Sequence, residues 1–171
     1  MTAGASSMAV RAARPRWLLF AVLAIGIVVA DQVTKAMVVG TLAIGERVDI
    51  LGDLVRIVHG RNSGMLFGLL PQSATAFAVV SLGVIALIVW YHSRVGRSLF
   101  TSIALGLLLG GAIGNLIDRV RYGSVIDFVD MGIGGWRFYT YNVADAAIST
   151  SIVILVALAL FPRLAEVGAR G

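Results

Sequence analysis

Two aspartates carry the chemistry that this chain is best equipped to do. Asp127 lies in Val125-Ile126-Asp127-Phe128, with no Lys or Arg within three residues on either side. Asp145 lies in Tyr141-Asn142-Val143-Ala144-Asp145-Ala146, at or inside the first turn of an apolar helix. A helix N-terminus favours an exposed acid by about 0.3–1 kcal/mol, so capping accounts for Asp145 as well as chemistry does. Asp127 has no such explanation. If the two converge, they are not both ionised at neutral pH. They hold one proton between them and titrate as a pair. A water between them then gives a proton to one carboxylate and attacks a peptide carbonyl, while the protonated partner donates to the carbonyl oxygen. The gem-diol collapses as a proton passes to the leaving amine. This is the aspartic-peptidase pattern, and it requires the fold to bring positions 127 and 145 together.

Further polar residues fall at telling spacings. Asp31-Gln32-Val33-Thr34-Lys35 puts Asp31 and Lys35 four apart, on one helix face and in the favourable acid-first order. An ion pair that orders the helix outweighs direct chemistry there, with a substrate-facing Lys35 as the alternative. In Gly114-Asn115-Leu116-Ile117-Asp118-Arg119, Asn115 and Asp118 are three apart and can face one neighbour. Arg119 adjoins Asp118 and can pair with it or reach a lipid phosphate. Asn62, Asn115 and Asn142 both donate and accept hydrogen bonds. Each can hold an extended substrate backbone, orient a carboxylate, or satisfy a buried loop or helix end. Phe67, Trp136 and Tyr139 either ring the site or belong to an interfacial aromatic belt.

Other chemistries fare worse. The chain has no Cys, so disulfides, thiolate metal sites and cysteine nucleophiles are excluded. It has no His-Glu-x-x-His motif, and His59 and His92 are expected on opposite sides of the membrane; neither a metal nor another cofactor is expected. Ser63 lacks a nucleophile-elbow context, and Lys35, the only lysine, is already engaged by Asp31. Nucleic acid is not an expected partner, because the net charge of +5 comes from arginines scattered among apolar runs. The rival from another class is a small proton-coupled transporter. Its acids would lie near the bilayer midplane, whereas Asp31, Asp118, Asp127 and Asp145 fall at the outer ends of spans or beyond. A third option is an assembly subunit whose acids serve only as caps and pairs.

The elements that must position these residues are membrane helices. The 171 residues are 58% hydrophobic and only 13% charged, about half the charge of a soluble domain, and the mean hydropathy is +0.92. Four stretches reach the roughly 20 apolar residues a span needs: about 17–39, 73–91, 99–117 and 144–161. The first resembles a secretory signal but has a poor cleavage site, and it reads as a retained span. An even number of spans puts both termini on one side. Arg11, Arg14, Arg16, Arg94, Arg97, Arg163 and Arg170 mark that side as cytoplasmic. The segments 40–72 and 118–143 then face outward, after a cytoplasmic tail over 1–16. Arg47 to Leu51, Leu54 to His59 and Trp136 to Tyr141 are strand-like, with Gly52 and Gly60 as breaks and a turn at Gly132 to Gly135. Gly106, Gly110 and Gly114 recur every four residues, beside Gly111, and allow helix backbones to approach closely. The expected fold is an all-α integral membrane protein: one polytopic domain of four transmembrane helices with a small extracytoplasmic β-sheet.

Five blocks, in order, resemble the bacterial lipoprotein signal peptidase (signal peptidase II) family: Asp31-Gln32-Val33-Thr34-Lys35; Asn62-Ser63-Gly64-Met65-Leu66-Phe67-Gly68; Gly114-Asn115-Leu116-Ile117-Asp118-Arg119; Val125-Ile126-Asp127-Phe128; and Tyr141-Asn142-Val143-Ala144-Asp145. Any one is weak, but five in order across four spans are specific. The resemblance implies that Asp127 and Asp145 are catalytic. It implies supporting or substrate-binding roles for Asn62, Gly64, Asn115, Asp118, Arg119 and Asn142, and a structural role for Asp31 and Lys35. It implies diacylglyceryl-prolipoprotein substrates cut just before the lipidated Cys, a site near the outer face of the bacterial plasma membrane among its phospholipids, no metal, and inhibition by globomycin. Met65 and Leu66 stand where the family often has two small residues. Tyr141 stands where it often has Phe, and Thr140 where a Pro is usual nearby. These departures bear on substrate fit and loop shape rather than on the acids.

Overall fold

The computed structural model describes residues 14–63 and 74–164. Four helices are long and apolar enough to cross a membrane: α1 (Trp17–Thr41), α2 (Ala74–Val95), α3 (Leu99–Tyr122) and α4 (Val143–Leu160). Between α1 and α2 lie β1 (Arg47–Leu51) and β2 (Val55–Asn62). Between α3 and α4 lie β3 (Val125–Ile133) and the short β4 (Trp136–Arg137). The strands form one antiparallel sheet in the order β1-β2-β3-β4.

Helix α3 is the central post. Its buried residues include Ala104, Leu105, Leu109 and all of Gly106, Gly110, Gly111 and Gly114. Gly106, Gly110 and Gly114 face α1, where a Cβ on Gly110 would stand 2.7 Å from the Ala24 carbonyl oxygen. Gly111 faces α4, against the Ala144 carbonyl oxygen. The small-residue spacing thus sets close packing on two sides of one helix. The opposite surfaces are apolar and uncovered: Leu18, Val22, Ile25, Val29 and Met37 on α1, and Val153, Val156 and Leu160 on α4. A soluble globule would bury such a surface, whereas lipid solvates it.

Three boundaries differ from the sequence expectation. Helix α3 runs five residues past position 117, so Asp118 and Arg119 belong to a helix and not to the outer segment. Arg119 and Arg121 in its last turn offset the helix dipole, and Gly123, at φ 68°, ends it in the left-handed conformation. Helix α2 continues to Val95, closed by His92 and Arg94. The stretch Trp136 to Tyr141 is strand only at its first two residues; Tyr141 returns as a single bridge to Val129.

Gly60 does not break its strand. Strand β2 continues to Asn62 through an irregular register between Ile57 and Gly60, and Gly60 stands opposite Asp127. A Cβ there would lie 2.9 Å from the Asp127 carbonyl oxygen. Glycine lets the two backbones approach where the acid must be placed. Gly60→Ala is therefore expected to push β3 outward and to lower the melting temperature by several degrees, since crowding a packed position costs about 1–3 kcal/mol. A melting temperature equal to wild type would show that the close approach is unimportant.

Candidate active site

The site is built at the junction of α1, α3, the start of α4 and strands β2 and β3. Its foundation is a buried charge cluster. Lys35 Nζ lies 2.7 Å from Asp31 Oδ2 and 2.7 Å from Asp118 Oδ2, and donates to Asn115 Oδ1 at 3.2 Å. Asp31, Lys35 and Asp118 are almost fully buried. The remaining lone pairs are used. Asp31 Oδ1 accepts from the Ala144 amide at 3.0 Å, Asp118 Oδ2 accepts from the Ile126 amide at 3.0 Å, and Gln32 Nε2 donates to Asp118 Oδ1 at 3.0 Å. One lysine with two carboxylates therefore ties α1 to α3, to the first turn of α4 and to the start of β3. The Asp31–Lys35 ion pair is formed within one turn of α1. Lys35 faces its acceptors, with no open surface from which to meet a substrate.

Arg119 does not pair with Asp118. Its Nη1 donates to the Asn115 carbonyl oxygen at 3.2 Å, and its guanidinium lies 5.7 Å from the Phe77 ring centroid. Consecutive helical side chains do not face each other, so Asp118 turns inward to Lys35 while Arg119 turns towards α2.

Above this foundation stand the two candidate acids. Asp127, on β3, is 4% exposed. Its Oδ1 accepts from Asn142 Nδ2 at 2.7 Å and its Oδ2 from Asn62 Nδ2 at 3.1 Å. Asp145 is the third residue of α4 and completes a capping box with Asn142. The Asp145 amide donates to Asn142 Oδ1 at 2.9 Å, and Asp145 Oδ1 accepts from Asn115 Nδ2 at 2.8 Å. Asn142 thus touches both acids at once, and its Nδ2 also reaches the Ile126 carbonyl oxygen at 3.1 Å. The capping expected of Asp145 is present in the structure. All three asparagines contact a candidate acid, and Asn62 also donates to the Tyr139 hydroxyl at 2.8 Å.

Burial pushes the Asp127 carboxyl up to about 6, and the nearby charge of Asp145 adds to the rise; hydrogen bonds from Asn62 and Asn142 and the charge of Lys35 oppose it. Asp127, the acid with no cation beside it in sequence, keeps its proton to higher pH than a free carboxyl does.

Open space reaches each of the two acids. A polar cleft of about 690 Å³ runs past Asn62, Ser63, Asp127, Tyr139 and Thr140. An apolar groove of about 800 Å³, lined by Leu51, Leu54, Met131, Ile133 and Phe138 among others, reaches Asp145. Arg137 braces the loop between them, holding Asp130 Oδ2 at 2.8 Å and reaching Asp53 in the β1–β2 turn.

Several expected residues lie elsewhere. Gly64 and Phe67 fall outside the described residues, as does the rest of the second block after Ser63. Trp136 is 90% exposed and well suited to an interfacial belt. His92 stacks on Phe20 at 4.0 Å beside Trp17, at the far end of α1 from His59, whose Nδ1 lies 2.9 Å from the Leu42 carbonyl oxygen. Gln32 has no individual role in the sequence expectation, and Gly60 is expected only as a break. The signal for Gln32 was its place beside Asp31, next to the face that turns to α3.

Known proteins resemble this chain over most of its length. The family model described as signal peptidase (SPase) II matches residues 23–161, a stretch containing every site residue named above. The lipoprotein signal peptidases of Staphylococcus aureus strains bovine RF122 / ET3-1 and MRSA252 are each 33% identical over 135 residues, covering 78% of this chain and 83% of theirs. Two solved structures of bacterial membrane enzymes are each 30% identical. One superimposes with a TM-score of 0.79 over 86% of this chain and 90% of its own, the other with 0.80 over 88% and 97%. The family match, the relatives and the shared helical frame lead to one conclusion: the chain belongs to the signal peptidase II family of membrane aspartic peptidases.

Proposed function

We propose that this protein removes the signal peptide from diacylglyceryl-modified prolipoproteins, cutting just before the lipidated Cys with a water activated by Asp127 and Asp145. The observation that carries the reading is Asn142, whose Nδ2 donates to Asp127 Oδ1 at 2.7 Å and whose backbone amide donates to Asp145 Oδ2 at 3.4 Å, so that one residue meets both carboxylates. Asp145 acts as the base. It takes a proton from the water, which attacks the scissile carbonyl carbon. Asp127, protonated at the outset, donates to the carbonyl oxygen. In the gem-diol that results, the proton now on Asp145 passes to the leaving nitrogen, the C–N bond breaks, and one hydroxyl returns its proton to Asp127 as the new carboxyl forms.

The surroundings suit such a substrate. An extended peptide fits the polar cleft beside Asn62 and Tyr139, and apolar parts of the substrate fit the groove that reaches Asp145. Confinement in the membrane positions the scissile bond, a task that a soluble peptidase performs with a deep cleft. In this reading Asn62, Asn115, Asn142 and Arg119 hold the acids and the substrate, and Asp118 acts through Lys35. The chain is one polytopic domain with both termini cytoplasmic and the site towards the outer face. Globomycin is expected to inhibit it by occupying the cleft. The test is cleavage of one prolipoprotein in diacylglyceryl-modified and unmodified forms by the purified protein. Only the modified form is expected to be cut, before its Cys; equal cleavage of both would overturn the substrate assignment.

The pH dependence follows from Asp127. Its pair is competent while Asp127 holds the shared proton, and that proton is lost as pH rises through about 6. The basic limb of kcat/KM is expected to fall about tenfold per pH unit above that value. A profile flat from pH 5 to 9, apart from unfolding, would assign the proton elsewhere.

A further inference from the structure

Two guanidinium groups lie against one tyrosine ring at the end of α3. The Arg61 Cζ is 5.7 Å from the Tyr122 ring centroid and the Arg121 Cζ is 5.6 Å from it, both within the range where an aromatic face attracts a cation. Arg61 comes from β2; Arg121 and Tyr122 come from the last turn of α3. Both arginines are exposed. Among the described residues neither has a carboxylate at ion-pair distance, whereas Arg56 and Arg137 on the same sheet are each held by aspartates. Arg121 at a helix C-terminus offsets the dipole, but that does not account for Arg61. Two exposed guanidiniums beside one ring, with no carboxylate at ion-pair distance among the described residues, attract an anion to this place.

The place of the pair in the fold says which anion. Val120, the residue before Arg121, is 72% exposed, and on the last turn of a membrane span an exposed valine faces lipid chains. Tyr122 is partly exposed at the very end of that span, at the depth where tyrosines gather beside headgroups. The two guanidiniums therefore stand at the level of lipid phosphates, on the membrane face that carries the site. Arg61 also precedes Asn62, whose side chain donates to Asp127.

We propose that Arg61, Tyr122 and Arg121 form a binding site for the phosphate of an anionic phospholipid in the leaflet next to the active site. The site rests on the membrane placement argued above and not on the catalytic pair. A lipid held there packs against the strand that carries Asn62 and lines the substrate's approach to the polar cleft.

The test uses the full-length protein in nanodiscs of phosphatidylcholine with a minor share of phosphatidylglycerol, and mass spectrometry of the lipid that stays bound after mild detergent extraction. Wild type is expected to retain phosphatidylglycerol in preference to phosphatidylcholine. Arg61→Gln and Arg121→Gln should each weaken that preference about fivefold and the double variant about 25-fold, while Arg61→Lys keeps most of it. Melting temperatures equal to wild type show that the variants are folded, and Tyr122→Phe, which keeps the ring, should retain the lipid. No preference in wild type, or a preference that survives in the double variant, would overturn the proposal. Excess inorganic phosphate should leave the lipid bound; displacement by it would replace the lipid assignment with a soluble-phosphate site. No peptide substrate enters the measurement, so its failure is separate from any failure of the proposed peptidase reaction.

Discussion

Asp127→Asn and Asp145→Asn should each reduce cleavage of a lipidated prolipoprotein by on the order of 10⁴-fold while leaving the protein folded. The amide keeps the size of the carboxyl and part of its hydrogen bonding, but it neither takes a proton from water nor gives one to a carbonyl oxygen. Stability separates this loss from unfolding. The folded-state pKa of Asp127 is raised above the ordinary carboxylate value to about 6. Folding therefore favours the protonated form, and stability falls as pH rises from near 4 through about 6. Above pH 6 the native state carries the burden of a desolvated charge, and Asp127→Asn removes it. The variant should melt no lower than wild type at pH 7. An inactive variant that also melts well below wild type would reassign Asp127 to a structural role.

The second large effect concerns the foundation. Lys35→Met leaves Asp31 and Asp118, both almost fully buried, with no cation. Breaking a buried pair by removing one partner costs about 3–5 kcal/mol, and here one cation serves two acids. The melting temperature in detergent is expected to fall by roughly 10 °C. Asp31→Asn and Asp118→Asn should each cost less, because Lys35 keeps one partner and its bond to Asn115 Oδ1. Activity should fall together with stability in Lys35→Met, since Asn115 also donates to Asp145. A melting temperature equal to wild type would mean that the cluster is already neutral or hydrated.

The helical frame was legible because it rests on composition and local spacing. A span needs only its own apolar residues, and Asp31 and Lys35 pair within one helix turn. What lies across the chain was not legible. Asp118 sits beside Arg119 in sequence yet pairs with Lys35, 83 positions away, because α3 turns consecutive side chains to different neighbours. Strand β3 escaped notice because it lacks alternation: Val125, Ile126, Asp127 and Phe128 are all buried, and a strand covered on both faces loses the period that marks it. Gly60 reads as a break when seen alone. Its reason, the Asp127 carbonyl opposite, lies on another strand. The candidate acids themselves stood out because charge is scarce in this chain, but only the fold supplies Asn142 as the residue joining them.

The most direct test of the central claim, that Asp127 and Asp145 act as one unit, is the single-turnover cleavage rate of the Asp127→Asn/Asp145→Asn double variant beside the two single variants and wild type. Two groups that share one proton and one water fail together, so the double variant should cleave no more slowly than the slower single variant. Losses that multiply in the double variant, or near-normal cleavage by either single variant, would contradict the account.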